Sequence, residues 1–196
     1  MNKNIEPKRQ LFHMLFGIII VVLLIYDLLR VTHIFFLVVI GIMLSFLSKK
    51  FKIPIIFWFL ENFEREKDLK EFPGKGVIFY LIGAFLVLSF FPLDIAMPSI
   101  LILAFGDSAS HLFGVRYGRI KHPFTDKKFI EGMIAGFIAA FIGALVFLPW
   151  HEALAASFFA MLAEGFEIRI GAEDVDDNII IPLVAAIAIS FTRFLI

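Results

Sequence analysis

Asp107 stands in the run Leu103-Ala104-Phe105-Gly106-Asp107-Ser108-Ala109-Ser110, a carboxylate inside an otherwise apolar stretch. If that stretch is a helix reaching about Val115, the carboxylate lies roughly 12 Å from its end at ~1.5 Å per residue. An ionised Asp at that depth in a bilayer costs roughly 2.5–3.5 kcal/mol, so such a group is paired, metal-bound or in a wet cavity. A plain polar contact between helices would also use it; the Gly and Ser neighbours favour function. A second acidic element, Glu173-Asp174-Val175-Asp176-Asp177-Asn178, precedes the last apolar run. One Asp or Asn there caps a helix, but capping leaves the other acids unexplained. With Asp107 they suit a hard cation such as Mg2+, which takes carboxylate and phosphate oxygens. Glu164 and Glu167 either join that set or are ordinary interface residues.

Between these acids lie Arg116, Arg119 and Lys121, then Lys127, Lys128 and Glu131. A basic loop at a membrane surface marks topology or touches anionic lipid; five cations in thirteen residues, interleaved with Gly, equally suit a polyphosphate. His13 either faces the site or caps the interface. Glu61 and Arg65, spaced i,i+4, read as a surface ion pair.

The elements that must position these groups are membrane helices. Apolar residues make up 60% of the 196 and mean hydropathy is +0.92, above what a soluble core needs. Seven hydrophobic segments are predicted near 11–29, 33–48, 76–91, 95–115, 129–149, 152–168 and 179–195, each near the roughly 20 residues a span takes. Phe51 to Leu60 is too short to cross and continues into a charged run, so it reads as an interfacial amphipathic helix. The expected fold class is therefore all-α: a polytopic integral membrane protein of about seven transmembrane helices plus the interfacial helix. Residues 1–196 form one membrane-embedded catalytic domain, with 51–72 an interfacial helix and cytoplasmic loop and 116–128 a basic cytoplasmic loop. The first span is not a cleaved signal, because Asp27 and Arg30 occupy the cleavage region.

Charge placement sets the orientation. With the N-terminus inside, sixteen of the eighteen Lys and Arg fall in segments 1–10, 49–75, 116–128 and 169–178; Arg30 and Arg193 lie outside. That positive-inside bias predicts a multi-pass protein of the cell membrane with its N-terminus and active site cytoplasmic. Small residues at four-residue spacing, Gly106, Ser110, Gly114 and Gly118 against Gly132, Gly136, Ala140 and Ala144, predict close packing of spans four and five. That packing would bring Glu131 towards Asp107. The chain has no cysteine, hence no thiolate ligand or thiol nucleophile. It also lacks the Walker, protein-kinase and H-E-x-x-H patterns.

Together, Gly106-Asp107-Ser108 with Gly114 and Gly118, Lys127/Lys128-x-x-Glu131-Gly132 and Asp176-Asp177-Asn178-x-x-x-Pro182 resemble the dolichol kinase, phytol kinase and CTP-dependent diacylglycerol kinase family, related to the phosphatidate cytidylyltransferases. Arg9-x-x-x-His13-x-x-x-Gly17 and Pro73-Gly74-Lys75-Gly76 are similar too. The family often has Ser after the lysine of its K-x-x-E-G element; here Lys128 follows Lys127. The resemblance implies phosphoryl transfer from CTP to the hydroxyl of a membrane lipid alcohol. Polyprenol or dolichol types come first, then a C20 isoprenoid alcohol or diacylglycerol. It implies Mg2+ ligands Asp107, Asp176, Asp177 and Asn178, and catalytic residues Asp107, Glu131, Lys128 and Asp177. Nucleotide contacts would come from Ser108, Arg116, Arg119, Lys121, Lys127 and Lys128. The partners are then the lipid and the nucleotide, with no nucleic acid polymer; a homo-oligomer is compatible. Lipid-phosphate cytidylyl transfer with pyrophosphate release is the nearest alternative. A small ion-coupled transporter is the second, and the missing inverted repeat counts against it.

Overall fold

In a computed structural model, which describes residues 5–51, 53–166, 169–170 and 173–195, the hydrophobic runs become helices joined by short turns. The helices are α1 (Ile5–Ile25), α2 (Val31–Ser48), α3 (Pro54–Phe63), α4 (Glu66–Glu71), α5 (Lys75–Phe90), α6 (Leu93–Tyr117), α7 (Ile130–Ala144), α8 (Trp150–Glu164) and α9 (Asp177–Leu195). Prolines open three of them: Pro54 in the first turn of α3, and Pro92 and Pro149 capping α6 and α8. A proline loses nothing there, since the first N–H groups of a helix have no internal partner.

The chain is an all-α membrane protein. α1, α2, α6 and α9 are long and apolar enough to cross a membrane. α5, α7 and α8 have 16, 15 and 15 residues, about 22–24 Å at 1.5 Å per residue, so α5 keeps the length expected for 76–91 while α7 and α8 are shorter than the expected 129–149 and 152–168. α8 ends against the hairpin: a side chain at Gly165, just past Glu164, would collide with the His122 ring. α7 starts at Ile130 because Phe129 belongs to a strand.

α6 is the axis of the bundle, flanked by α1, α7 and α9, while α5 joins α2 to α9 and α8 joins α7 to α9. Ala96, Ile100, Ile102 and Leu103 of α6 are wholly buried against Ala140 and Ala144, Ala153 and Ala156, and Ala185 and Ile189. The small-residue faces meet as expected: a side chain at Gly132 would come within 2.6 Å of the Ser110 carbonyl oxygen, and one at Gly136 within 2.8 Å of that of Gly106. Outward-facing Phe35, Phe36, Met43 and Phe46 on α2 suit hydrocarbon contact.

Two departures concern the loops. The basic loop is a hairpin, β1 (Lys121–His122) against β2 (Thr125–Phe129), and a second short hairpin pairs β3 (Arg169–Ile170) with β4 (Glu173–Asp174). The segment expected to form one interfacial helix makes two helices, α3 and α4, broken at Glu64 and Arg65. At the other end of the bundle Arg193 binds Glu152 at 2.9 Å and also Asp94, tying α9 to α8 and α6.

Candidate active site

Three helices each deliver one carboxylate to the same point. Asp107 of α6, Glu164 of α8 and Asp177 of α9 offer oxygens that all lie within 4.8 Å of one another. Close packing of α6 on α7 and of α8 on α9 brings them there. Lys128, on β2, joins them: its Nζ donates to Asp177 Oδ2 at 2.7 Å and to the Glu164 carbonyl at 2.6 Å, and stands 3.4 Å from Glu164 Oε1. Burial pushes the Lys128 pKa down, but the carboxylates of Glu164 and Asp177 outweigh it and hold the value above the ordinary one. Ser110 Oγ donates to Glu164 Oε1 at 2.9 Å. His13 Nε2 lies 3.5 Å from Asp107 Oδ2.

Three carboxylates against one ammonium leave a surplus of negative charge that a divalent cation would cancel. The donors are hard oxygens, as Mg2+ requires. Asn178 adds an orphan: its Nδ2 donates to Asp176 Oδ1 at 2.7 Å, while its own buried Oδ1 has no partner. The residues present therefore fit a hard divalent ion. Asp176 also accepts the Asn178 N–H at 3.1 Å; burial raises its pKa above the usual range.

Two cavities meet at these groups. One, of about 280 Å³, is polar and holds Asp107, Asp176 and Asp177 together with Arg9, Arg65 and Lys75. The other is lined by Phe12, Phe16, Phe59, Phe63, Val77 and Tyr80. Arg9, Gly76, Asp107 and Asn178 line both.

An uncharacterized protein of Methanocaldococcus jannaschii is 32% identical over 187 residues, covering 94% of this chain and 93% of that protein. CTP-dependent diacylglycerol kinase 1 of Schizosaccharomyces pombe is 28% identical over 130 residues, 57% of each chain. The protein named Probable phytol kinase 2, chloroplastic, of Glycine max is 34% identical over 134 residues, 61% of this chain and 46% of that one. The chain is thus related over part of its length to CTP-dependent diacylglycerol kinases and phytol kinases. It spans about half the length of the kinases it matches. No protein-family model matches it, and no solved structure does so significantly.

The structure brings together Asp107, Asp177 and Lys128, and Asp107 and Asp177 share the polar cavity with Asp176 and Asn178. It adds Glu164 to them. Glu131 goes elsewhere: both its oxygens accept the Ile120 N–H at 3.2 Å, so it closes the turn before the hairpin instead of approaching Asp107. Ser108 Oγ donates to the Gln10 carbonyl at 3.1 Å, fastening α6 to α1. Lys127 and Lys128 line a smaller recess with Ser110 and Glu164. Arg116 lies over the Tyr117 ring, Lys121 over that of Phe129, and Arg119 is exposed; none of these three lines the polar cavity. Glu167 lies outside the described residues.

Sequence reading missed the long-range partners. Arg65 does not pair with Glu61; its Nη2 reaches Glu6 at 2.9 Å and His111 at 2.9 Å. Glu6 also accepts from Arg9 at 2.7 Å. Glu64 accepts the Gly74 and Gly76 N–H groups at 2.7 and 3.3 Å. Their only signal in the sequence was charge in segments otherwise read as surface.

Proposed function

We propose that the chain transfers the terminal phosphoryl group of CTP to the hydroxyl of a membrane lipid alcohol, at the cytoplasmic face of the cell membrane. One observation carries this reading: Asp107 lines both the polar, cation-bearing cavity and the aromatic one. A reaction between a charged donor and an apolar acceptor needs such a junction. CTP as donor is carried over from the CTP-dependent relatives, and the sixteen inward cations support the orientation.

Mg2+ would be held by Asp107, Glu164 and Asp177, with Asn178 Oδ1 beside them, and would supply charge neutralisation on the phosphates. Lys128 keeps Asp177 and the end of α8 in register by its bonds to both. The aromatic wall admits the lipid end and excludes water. The hydroxyl oxygen then bonds to the terminal phosphorus, the bond from that phosphorus to the bridging oxygen breaks, and CDP leaves. The hydroxyl proton passes to a carboxylate, Asp107 or Asp177. His13 Nε2 stands 3.5 Å from Asp107 Oδ2 without a hydrogen bond to it, close enough to take up one when the site is filled. The aromatic cavity is narrow, about 60 Å³, and takes the single hydroxymethyl end of an isoprenoid alcohol more readily than a glycerol carrying two acyl chains. Isoprenoid alcohols, polyprenol-type or C20, therefore come before diacylglycerol in the substrate order.

The test is incubation of the purified chain with γ-labelled CTP, Mg2+ and a panel of lipid alcohols. Labelled lipid phosphate and CDP are expected. Pyrophosphate released from CTP and a lipid phosphate, with no labelled lipid, would make it a cytidylyltransferase instead.

A further inference from the structure

The polar cavity carries three cations that no sequence motif assigned to the donor. Arg9 comes from α1, Arg65 from the break between α3 and α4, and Lys75 from the start of α5. Two carboxylates outside the metal-type cluster hold them. Glu6 accepts from Arg9 at 2.7 Å and from Arg65 at 2.9 Å, so two guanidinium groups share one carboxylate. That fixes both forks and leaves one positive charge over. Glu64 accepts the N–H groups of Gly74 and Gly76, on either side of Lys75. Gly74 has φ of 82°, the left-handed region glycine enters freely, and the turn is thereby pinned with Lys75 at the cavity. The Lys75 ammonium stands 5.7 Å over the Phe79 ring.

The cations first expected to meet the donor are used differently. Lys121 donates to the Asp126 carbonyl, and neither it, Arg116, Arg119 nor Lys127 lines this cavity. Guanidinium forks and a lysine beside a cluster of carboxylates are the pairing a metal-bound polyphosphate needs: anionic oxygens on one set, the cation on the other.

We infer that Arg65 and Lys75, with Arg9, form the polyphosphate subsite of the donor, held in shape by Glu6 and Glu64. The inference rests on the reading that the chain uses a nucleoside triphosphate, and it moves the donor contacts from the hairpin to the α3–α5 segment.

Calorimetric titration of the full chain in detergent tests it, with CTP and, separately, inorganic tripolyphosphate, each with Mg2+. Arg65→Gln and Lys75→Gln are each expected to weaken both ligands about tenfold or more, the scale of one charge-assisted contact. Arg65→Lys, which keeps the charge but not the fork, falls between. Lys67→Gln removes the same charge from the neighbouring helix and retains wild-type binding. Melting curves confirm that each variant is folded. Wild-type affinity in folded Arg65→Gln and Lys75→Gln overturns the inference, as does an equal loss in Arg119→Gln and Lys121→Gln. Tripolyphosphate binding that depends on Arg65 and Lys75, without CTP binding, keeps the subsite and sinks the CTP reading. CTP transfer with unaltered binding in both variants does the reverse. A folded wild type that binds neither ligand sinks both.

Discussion

Lys128 Nζ lies 2.7 Å from Asp177 Oδ2, joining the β1–β2 hairpin to the first turn of α9. The same ammonium holds the carbonyl of Glu164, the last residue of α8. One side chain thus closes the site from outside the bundle. It is also a cation set among three carboxylates that would otherwise repel.

Removing that cation should cost both stability and activity. Lys128→Met leaves Asp177 and Glu164 without their ammonium, and losing a half-buried, charge-assisted hydrogen bond costs roughly 1.5–3 kcal/mol. The expected result is a lower melting temperature and a fall in transfer of about a hundredfold or more, the scale of a lost transition-state charge contact. Lys128→Arg should recover more of the stability than of the rate. A Lys128→Met protein with full activity would contradict this geometry.

The carboxylates separate by role. Asp107→Asn and Asp177→Asn are expected to abolish transfer while the protein stays monodisperse in detergent. Glu164→Gln keeps the acceptor for Ser110 but removes one charge from the cluster. It should shift Mg2+ activation to about tenfold higher concentration with less effect at saturating Mg2+, since each carboxylate contributes to affinity for a hard ion. Unchanged Mg2+ dependence would remove Glu164 from the cation site.

Periodic features were legible in the sequence and paired features were not. The helices follow from apolar run length, and the α6–α7 contact follows from Gly106, Ser110 and Gly114 facing Gly132 and Gly136. Asp107 was visible because a carboxylate at that depth needs a reason. Glu131 was misplaced because one turn decides whether it faces Asp107 or the Ile120 N–H, and the hairpin decides that turn. The link from Arg65 to Glu6 spans 59 residues; no local pattern encodes it, whereas Glu61 stood at the spacing of a helical pair that the break at Glu64 removed.

The close approach of α6 and α7 is a matter of backbone. Gly132→Val puts a branched side chain where even a Cβ would lie 2.6 Å from the Ser110 carbonyl and 3.1 Å from the Gly114 Cα. Neither can yield without separating the helices. Loss of detergent-stable protein is expected, with a cost of about 3 kcal/mol or more, as for severe overpacking. Gly76→Ala, where a Cβ meets nothing within 4 Å, should keep a melting temperature near wild type.

Glu64 gives a pH signature. Burial raises its pKa above the ordinary 4.5, against the lowering effect of the Gly74 and Gly76 N–H groups. A folded pKa above the unfolded one means the folded chain binds the proton more tightly. Its contribution to stability is therefore complete below pH 4.5 and is lost as pH rises through the folded value. Glu64→Gln does not titrate. Between pH 4.5 and 7 the wild type should lose melting temperature relative to Glu64→Gln. A constant difference across that range would show that Glu64 does not carry the shift.

The aromatic cavity should govern the acceptor alone. Val77 is half-buried at its wall, which Tyr80 also lines, and is close in sequence to Lys75, while its own side chain has no charge to offer a nucleotide. Val77→Trp fills the space the lipid end would occupy and leaves Arg9, Arg65 and Lys75 in place. Loss of uniform binding to one substrate raises its KM with little change in kcat. The expected result is a KM for the lipid alcohol raised about tenfold, with the KM for CTP within about twofold of wild type. If Val77→Trp instead raises the KM for CTP and spares the lipid, the two cavities have been assigned to the wrong substrates.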